Sequence, residues 1–134
     1  KGIIIPDLPF EEAHEISKKL KKNNISFISL VSVTSKERIS KITSLGDGFI
    51  YAIGSLGVTG TKQVDLERLK NFISEIKNIS DVPVSLGFGI RNNEDVKKMR
   101  QYVDGVIIGT SIVELTSSGN VEFTVNKINK LFEV

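Results

Sequence analysis

Two short stretches, Gly87-Phe88-Gly89-Ile90 and Gly109-Thr110-Ser111, hold the residue types and spacing best suited to chemistry in this chain. Each closes an apolar run, Pro83 to Leu86 in one case and Gly105 to Ile108 in the other. Each also runs into a helix start: Asn92-Asn93-Glu94-Asp95 reads as a capped N-terminus, and Ile112 to Leu115 can form one helical turn. Glycine is needed where a backbone turns sharply or comes close to a ligand. Small residues opening a helix leave backbone N–H groups free, which is the chemistry of an anion site. Two such strand ends in succession suit one phosphate held between them.

Other candidates have plainer readings. His14, the sole histidine, falls on the polar side of its helix, and no second ligand beside it suggests a metal. Asp7 follows the first apolar run and is either a functional acid or a turn former. Tyr51 alternates with Phe49 and Ile53, so it either fills an interior or lines a site. Phe88, between two glycines, reads better as a ligand contact than as core alone.

The elements that position these residues repeat one unit. Gly2 to Ile5 is a continuous apolar run, as expected for a strand covered on both faces. After Pro6-Asp7-Leu8-Pro9 comes a helix with Ala13, Ile16 and Leu20 at helical spacing, acidic residues first, lysines last, and Asn23-Asn24 as its stop. A second strand, Ser26 to Val31, precedes Thr34 and Glu37 at capping-box spacing, and then Ile39, Ile42 and Leu45. The third strand, Phe49 to Ile53, opens into a long glycine-punctuated connection from Gly54 to Gln63 before a helix carrying Leu66, Leu69, Ile73 and Ile76. Val96 and Met99 mark the helix between the last two strands, and Val121, Val125, Ile128 and Phe132 mark the final one.

Composition narrows the class. The 134 residues are 40% hydrophobic, read as a single domain over 1–134, and no apolar run approaches the roughly 18 residues a membrane helix requires. The absence of cysteine excludes disulfides and fits an intracellular, cytoplasmic protein. A net charge of +2 is too small to imply nucleic acid, and the lysines at 18, 19, 21 and 22 complement the end of a helix. The chain starts at Lys1 without methionine and already inside a strand.

Five strands, each followed by a helix, require parallel pairing. An open doubly wound sheet and the C-terminal part of an eight-fold barrel both accept that pattern. The glycine loops follow the last two strands, as in the barrel, whereas a nucleotide-binding sheet usually carries its glycine turn after the first. The expectation is therefore α/β, a TIM (β/α)8 barrel of which this chain supplies the last five units, strands 4 to 8.

Pro6-Asp7-Leu8-Pro9-Phe10-Glu11-Glu12, Leu56-Gly57-Val58-Thr59-Gly60, Gly87-Phe88-Gly89-Ile90 and Gly109-Thr110-Ser111-Ile112-Val113 resemble, in that order and spacing, the tryptophan synthase alpha chain. The resemblance covers essentially all 134 residues, from the family's fourth strand onward. It implies a lyase of tryptophan biosynthesis that cleaves indole-3-glycerol phosphate to indole and glyceraldehyde 3-phosphate. The family passes indole to a beta chain, which alone carries pyridoxal phosphate.

By position, the resemblance implies that Gly60, Gly89, Gly109 and Thr110 bind the substrate phosphate and that Phe88 lies beside the indole ring. Thr110 keeps the hydroxyl of the serine that other members often have there. Gly57, Val58 and Thr59 match the mobile loop, Tyr51 matches a tyrosine near the catalytic groups, and Asp7 and Pro9 lie near the beta-chain contact. The family's catalytic glutamate and aspartate belong to its second and third units, so no catalytic acid or base is expected here and the isolated portion is expected to be inactive. Two other readings share these residues. One is a sugar-phosphate isomerase or epimerase on the same barrel; the other is a non-catalytic partial barrel that buries its open strand edges against another chain.

Overall fold

The computed structural model describes residues 1–54, 66–87, 89–117 and 119–133, with Lys36 described by its backbone alone. Among them, strands and helices alternate. β1 (Gly2–Ile3) leads to α1 (Phe10–Lys22), and β2 (Ser26–Phe27) with β3 (Ser29–Ser32) makes one strand pass interrupted at Ile28. A 3-10 turn at Lys36–Arg38 then feeds α2 (Ile39–Thr43). The remaining elements are β4 (Ile50–Ile53), α3 (Leu66–Ile79), β5 (Val84–Gly87), α4 (Asn93–Met99), β6 (Gly105–Ile107), α5 (Thr110–Thr116) and α6 (Val121–Leu131).

Every strand pair is parallel: β1 with β2, and then β3, β4, β5 and β6 in sequence order. Parallel neighbours put all the strand-to-helix loops at one end of the array. The register aligns Val31, Ala52, Leu86 and Val106 across four strands, and one residue earlier it aligns Leu30, Tyr51, Ser85 and Gly105. Successive side chains on a strand point to opposite faces, so these two rows belong to opposite sides of the sheet. The first row, with Ile50 and Val84, packs on Ile39 of α2, on Leu69, Phe72, Ile73 and Ile76 of α3, and on Val96 and Met99 of α4. The second row is only half-buried.

Two carboxylates tie the opposite, strand-start end. Asp47 Oδ1 accepts the Phe27 N–H at 2.8 Å. Asp104 Oδ2 accepts the Val84 N–H at 2.8 Å, while its Oδ1 takes Lys77 Nζ at 2.9 Å. The Val84 amide, seconded by the Lys77 ammonium, holds the Asp104 carboxyl below the usual carboxylate range.

The structure departs from expectation at four places. The strand expected at Gly2 to Ile5 is confined to Gly2–Ile3 and is exposed, because it has one neighbour and no covering layer. The strand expected from Ser26 to Val31 is split at Ile28, whose N–H still reaches Ile3 O at 2.9 Å. The Thr34 and Glu37 capping box does not form: Thr34 Oγ1 pairs with Ser32 Oγ at 2.7 Å, and the chain enters α2 through the 3-10 turn. On α6 the buried positions are Thr124 and Leu131, whereas Val121, Val125 and Phe132 stay exposed.

Candidate functional site

β5 and β6 are adjacent and parallel, and Gly87, the last residue of β5, is paired with Ile107, the last of β6. The loops that follow them therefore leave the sheet side by side at the same end. Five residues separate Gly87 from α4, which begins at Asn93, and only two separate Ile107 from α5, which begins at Thr110.

On the β5 side the backbone turns at Gly89, whose φ of 85° lies in the left-handed region that a residue with a Cβ avoids. The Asn92 side chain then caps α4, accepting the Asp95 N–H at 2.9 Å, and Asp95 Oδ2 accepts the Arg91 N–H at 3.0 Å. The Arg91 amide is thus committed locally. Asn93 adds a long tie, its Nδ2 donating to Leu131 O at 3.3 Å and Glu133 O at 2.6 Å, so the start of α4 is fastened to the end of α6.

On the β6 side Gly109 caps α5 with its carbonyl, which accepts from Ile112 N at 2.9 Å and Val113 N at 3.1 Å. The N–H groups of Thr110 and Ser111 open the helix and have no carbonyl of their own helix to reach. Among the described residues a Cβ built on Gly109 would meet nothing within 4 Å, and Gly109 and Thr110 are exposed, so an incoming group can approach that backbone.

Tyr51 stands on β4, next to β5, with its ring laid across Gly87: any side-chain carbon on Gly87 would overlap Tyr51 Oη, Cε1 and Cζ. Gly54 N–H, just past β4, donates to Gly87 O at 3.1 Å and ties the two strand ends together. Tyr51 is half-buried, so one side of it remains open towards the uncovered face of the sheet.

Asp7 and Pro9 lie at the other side of the array, in the loop between β1 and α1. Pro9 sits at the N-cap position of α1 and Asp7 is exposed. Both line a cleft of about 420 Å³ whose facing wall includes Ser32, Ser35, Arg38 and Ile53. His14 is exposed on α1.

The structure therefore brings together Tyr51, Gly89, Gly109 and Thr110 around the ends of three neighbouring strands, and sets Asp7 and Pro9 apart from them. Gly57, Val58, Thr59, Gly60 and Phe88 lie outside the described residues. Sequence reasoning missed the close fit of Gly87 to Tyr51, which requires the strand register, and the Asn93 tie, whose partners are 38 and 40 residues away. What this arrangement can do is hold an anion against helix-opening amides beside an aromatic hydroxyl; the Asp95 carboxylate is already used in the cap.

Comparison with known proteins agrees with this geometry. A profile of the tryptophan synthase alpha chain family matches residues 1–133. The tryptophan synthase alpha chain of Campylobacter jejuni is 44% identical over 133 residues, which are 98% of this chain and 53% of the relative. The solved alpha subunit from Campylobacter jejuni superposes with a TM-score of 0.86 at 44% identity, covering 98% of this chain and 53% of that one. A structure described as the tryptophan synthase a2b2 complex of Pyrococcus furiosus, 24% identical, superposes with a TM-score of 0.84 over 100% of this chain and 56% of the other, which is a likeness of fold. This chain spans about half the length of the curated relatives it matches. Its parallel strands are the corresponding part of their (β/α)8 barrel, and the chain belongs to the tryptophan synthase alpha chain family.

Proposed function

We infer that these residues form the phosphate-holding part of a lyase that cleaves indole-3-glycerol phosphate into indole and glyceraldehyde 3-phosphate. The observation that carries this reading is the pairing of Gly87 with Ile107, which sends two glycine loops out of neighbouring strands at one end of the sheet. The helix-opening amides of Thr110 and Ser111 supply donors, the Thr110 hydroxyl adds another, and the open space beside Gly109 lets the phosphate approach. The roles of Gly60 at the phosphate, Phe88 beside the indole ring and Gly57, Val58 and Thr59 as a closing loop rest on the family resemblance.

Cleavage breaks the bond between the indole ring carbon and the glycerol chain. The ring carbon gains a proton, and the neighbouring hydroxyl loses one as the aldehyde forms. That requires an acid and a base in reach of those atoms. The family's glutamate and aspartate fall outside these 134 residues, so this portion binds and orients while turnover needs the rest of the barrel. Asp7 and Pro9 face a beta chain, the subunit that carries pyridoxal phosphate; the alpha–beta assembly named for the Pyrococcus furiosus structure supports that partner.

Calorimetric titration with indole-3-glycerol phosphate tests the reading. Binding without turnover is expected, weakened at least about tenfold by Gly109→Asp, which sets a negative charge against the phosphate. Binding indifferent to that substitution, or indole release by the isolated chain, would overturn it.

A further inference from the structure

The cleft of about 420 Å³ beside Asp7 and Pro9 exists because the sheet parts there. β1 runs along β2 for two residues, and the last link between them is the Ile28 N–H to Ile3 O at 2.9 Å. Among the described residues β3 pairs only with β4, so the chain from Ile5 to Pro9 leaves the sheet and stands off from β3. The volume is in the range of small-ligand pockets, about 300–1,000 Å³. None of Gly89, Gly109 and Thr110 lines it.

Three kinds of surface meet in this cleft. Its floor is apolar, with Phe27, Ile28 and Val31 buried and Ile42 of α2 beside them. One wall carries the Asp7 carboxylate and the facing wall the Arg38 guanidinium, both exposed at the rim. Among the described residues neither group makes an ion pair or a side-chain hydrogen bond. An exposed pair of this kind gains little by closing on itself. Ser32 and Ser35 complete the Arg38 wall. Ser35 Oγ accepts the Ser32 N–H at 3.0 Å, while Ser32 Oγ lies 2.7 Å from Thr34 Oγ1 and 3.4 Å from Ser35 Oγ. That last contact is long for a hydroxyl pair, so the Ser35 proton can turn to a stronger acceptor.

We propose that this cleft binds a free α-amino acid with an apolar side chain. Its carboxylate meets Arg38 and the Ser35 hydroxyl, its ammonium meets Asp7, and its side chain lies on Phe27, Ile28 and Ile42. A carbon that bears a cation, an anion and an apolar group matches all three surfaces. An anion alone would also face Asp7, and a cation alone would face Arg38. A guanidinium holds a carboxylate through two parallel N–H donors, which are among the stronger hydrogen bonds. The inference rests on the cleft and not on the phosphate reading. Asp7 also belongs to the surface inferred to meet a beta chain, so the test uses this chain without that partner.

The 134-residue chain is titrated calorimetrically with L-phenylalanine in the absence of any phosphate ligand. One-to-one binding with a dissociation constant of about 1 mM or below is expected. Phenylpropionate, which lacks the ammonium, phenylethylamine, which lacks the carboxylate, and glycine, which lacks the apolar group, should each bind at least about tenfold more weakly. Arg38→Gln should remove most of the gap between L-phenylalanine and phenylethylamine, and Asp7→Asn most of the gap between L-phenylalanine and phenylpropionate, with helicity unchanged. A residue that only shapes the cleft would weaken all these ligands together. The truncated ligands put the same question to the unaltered chain, so the result does not depend on either variant folding. The proposal is overturned if L-phenylalanine shows no binding at about 20 mM, if the truncated ligands bind as well as it does, or if the folded variants weaken every ligand alike. No phosphate enters this test, so its failure leaves the phosphate reading standing, and failure of that reading leaves this one.

Discussion

Gly87 carries no side chain because the Tyr51 ring occupies the space where one would go. The two residues stand on neighbouring strands, and the contact locks the phenol against the backbone that leads into the β5 loop. Gly87→Ala is expected to force the ring aside and destabilise the chain by roughly 1–3 kcal/mol. Replacing Tyr51 with alanine in the same chain should recover part of that loss, with a coupling of about 0.5–3 kcal/mol in a double-mutant cycle read by urea unfolding. Additive effects would mean that the ring does not pack on Gly87.

Asn93 joins the start of α4 to the carbonyl of Leu131, at the end of α6, and to that of Glu133 just beyond it, far away in sequence. Asn93→Ala should cost about 1 kcal/mol, the ordinary worth of such hydrogen bonds. Exchange of the α6 amides should rise while that of β4 amides stays the same. Equal acceleration in both places would show a global loss in place of a released helix end.

Asp104 gives stability a defined pH dependence. Its carboxyl is held below the ordinary value in the folded chain, so the folded state favours the charged form. The contribution is complete above the unfolded carboxyl's pKa and is lost as pH falls through the folded one. Asp104→Asn should cost about 1 kcal/mol at neutral pH, a modest figure because the side chain is 43% exposed and the Lys77 pair is screened. The difference between wild type and variant should shrink as the medium is acidified below the ordinary carboxylate range. A gap that stays constant down to that range and beyond would remove the carboxylate from the account.

Much of the fold was legible in the residues because its signals are local. The parallel strand–helix alternation follows from short apolar runs and helical stripes, and the Asn92 cap is readable three residues from the amide it accepts. Thr34 shows the limit of such local signals: its spacing to Glu37 is right, but a nearby serine hydroxyl captures it. The exposure of Ile3 and of the α6 valines was not legible, because an apolar residue does not say whether its cover belongs to the same chain. Of the candidate site, the glycine loops could be read in advance, since glycine at a strand end implies a turn or a close approach. Which loops sit together depends on the Gly87 and Ile107 register. The fit of Tyr51 to Gly87 and the reach of Asp104 to Val84, 20 residues away, likewise exist only once the strands are paired.

The most direct test of the phosphate cradle is to titrate the isotope-labelled chain with glycerol 3-phosphate and follow the amide resonances of Gly89, Gly109, Thr110 and Ser111. The loops after β5 and β6 should respond together, with one shared dissociation constant. Loops that respond at different concentrations, or that stay silent while amides elsewhere move, would contradict a single anion held between the two strand ends.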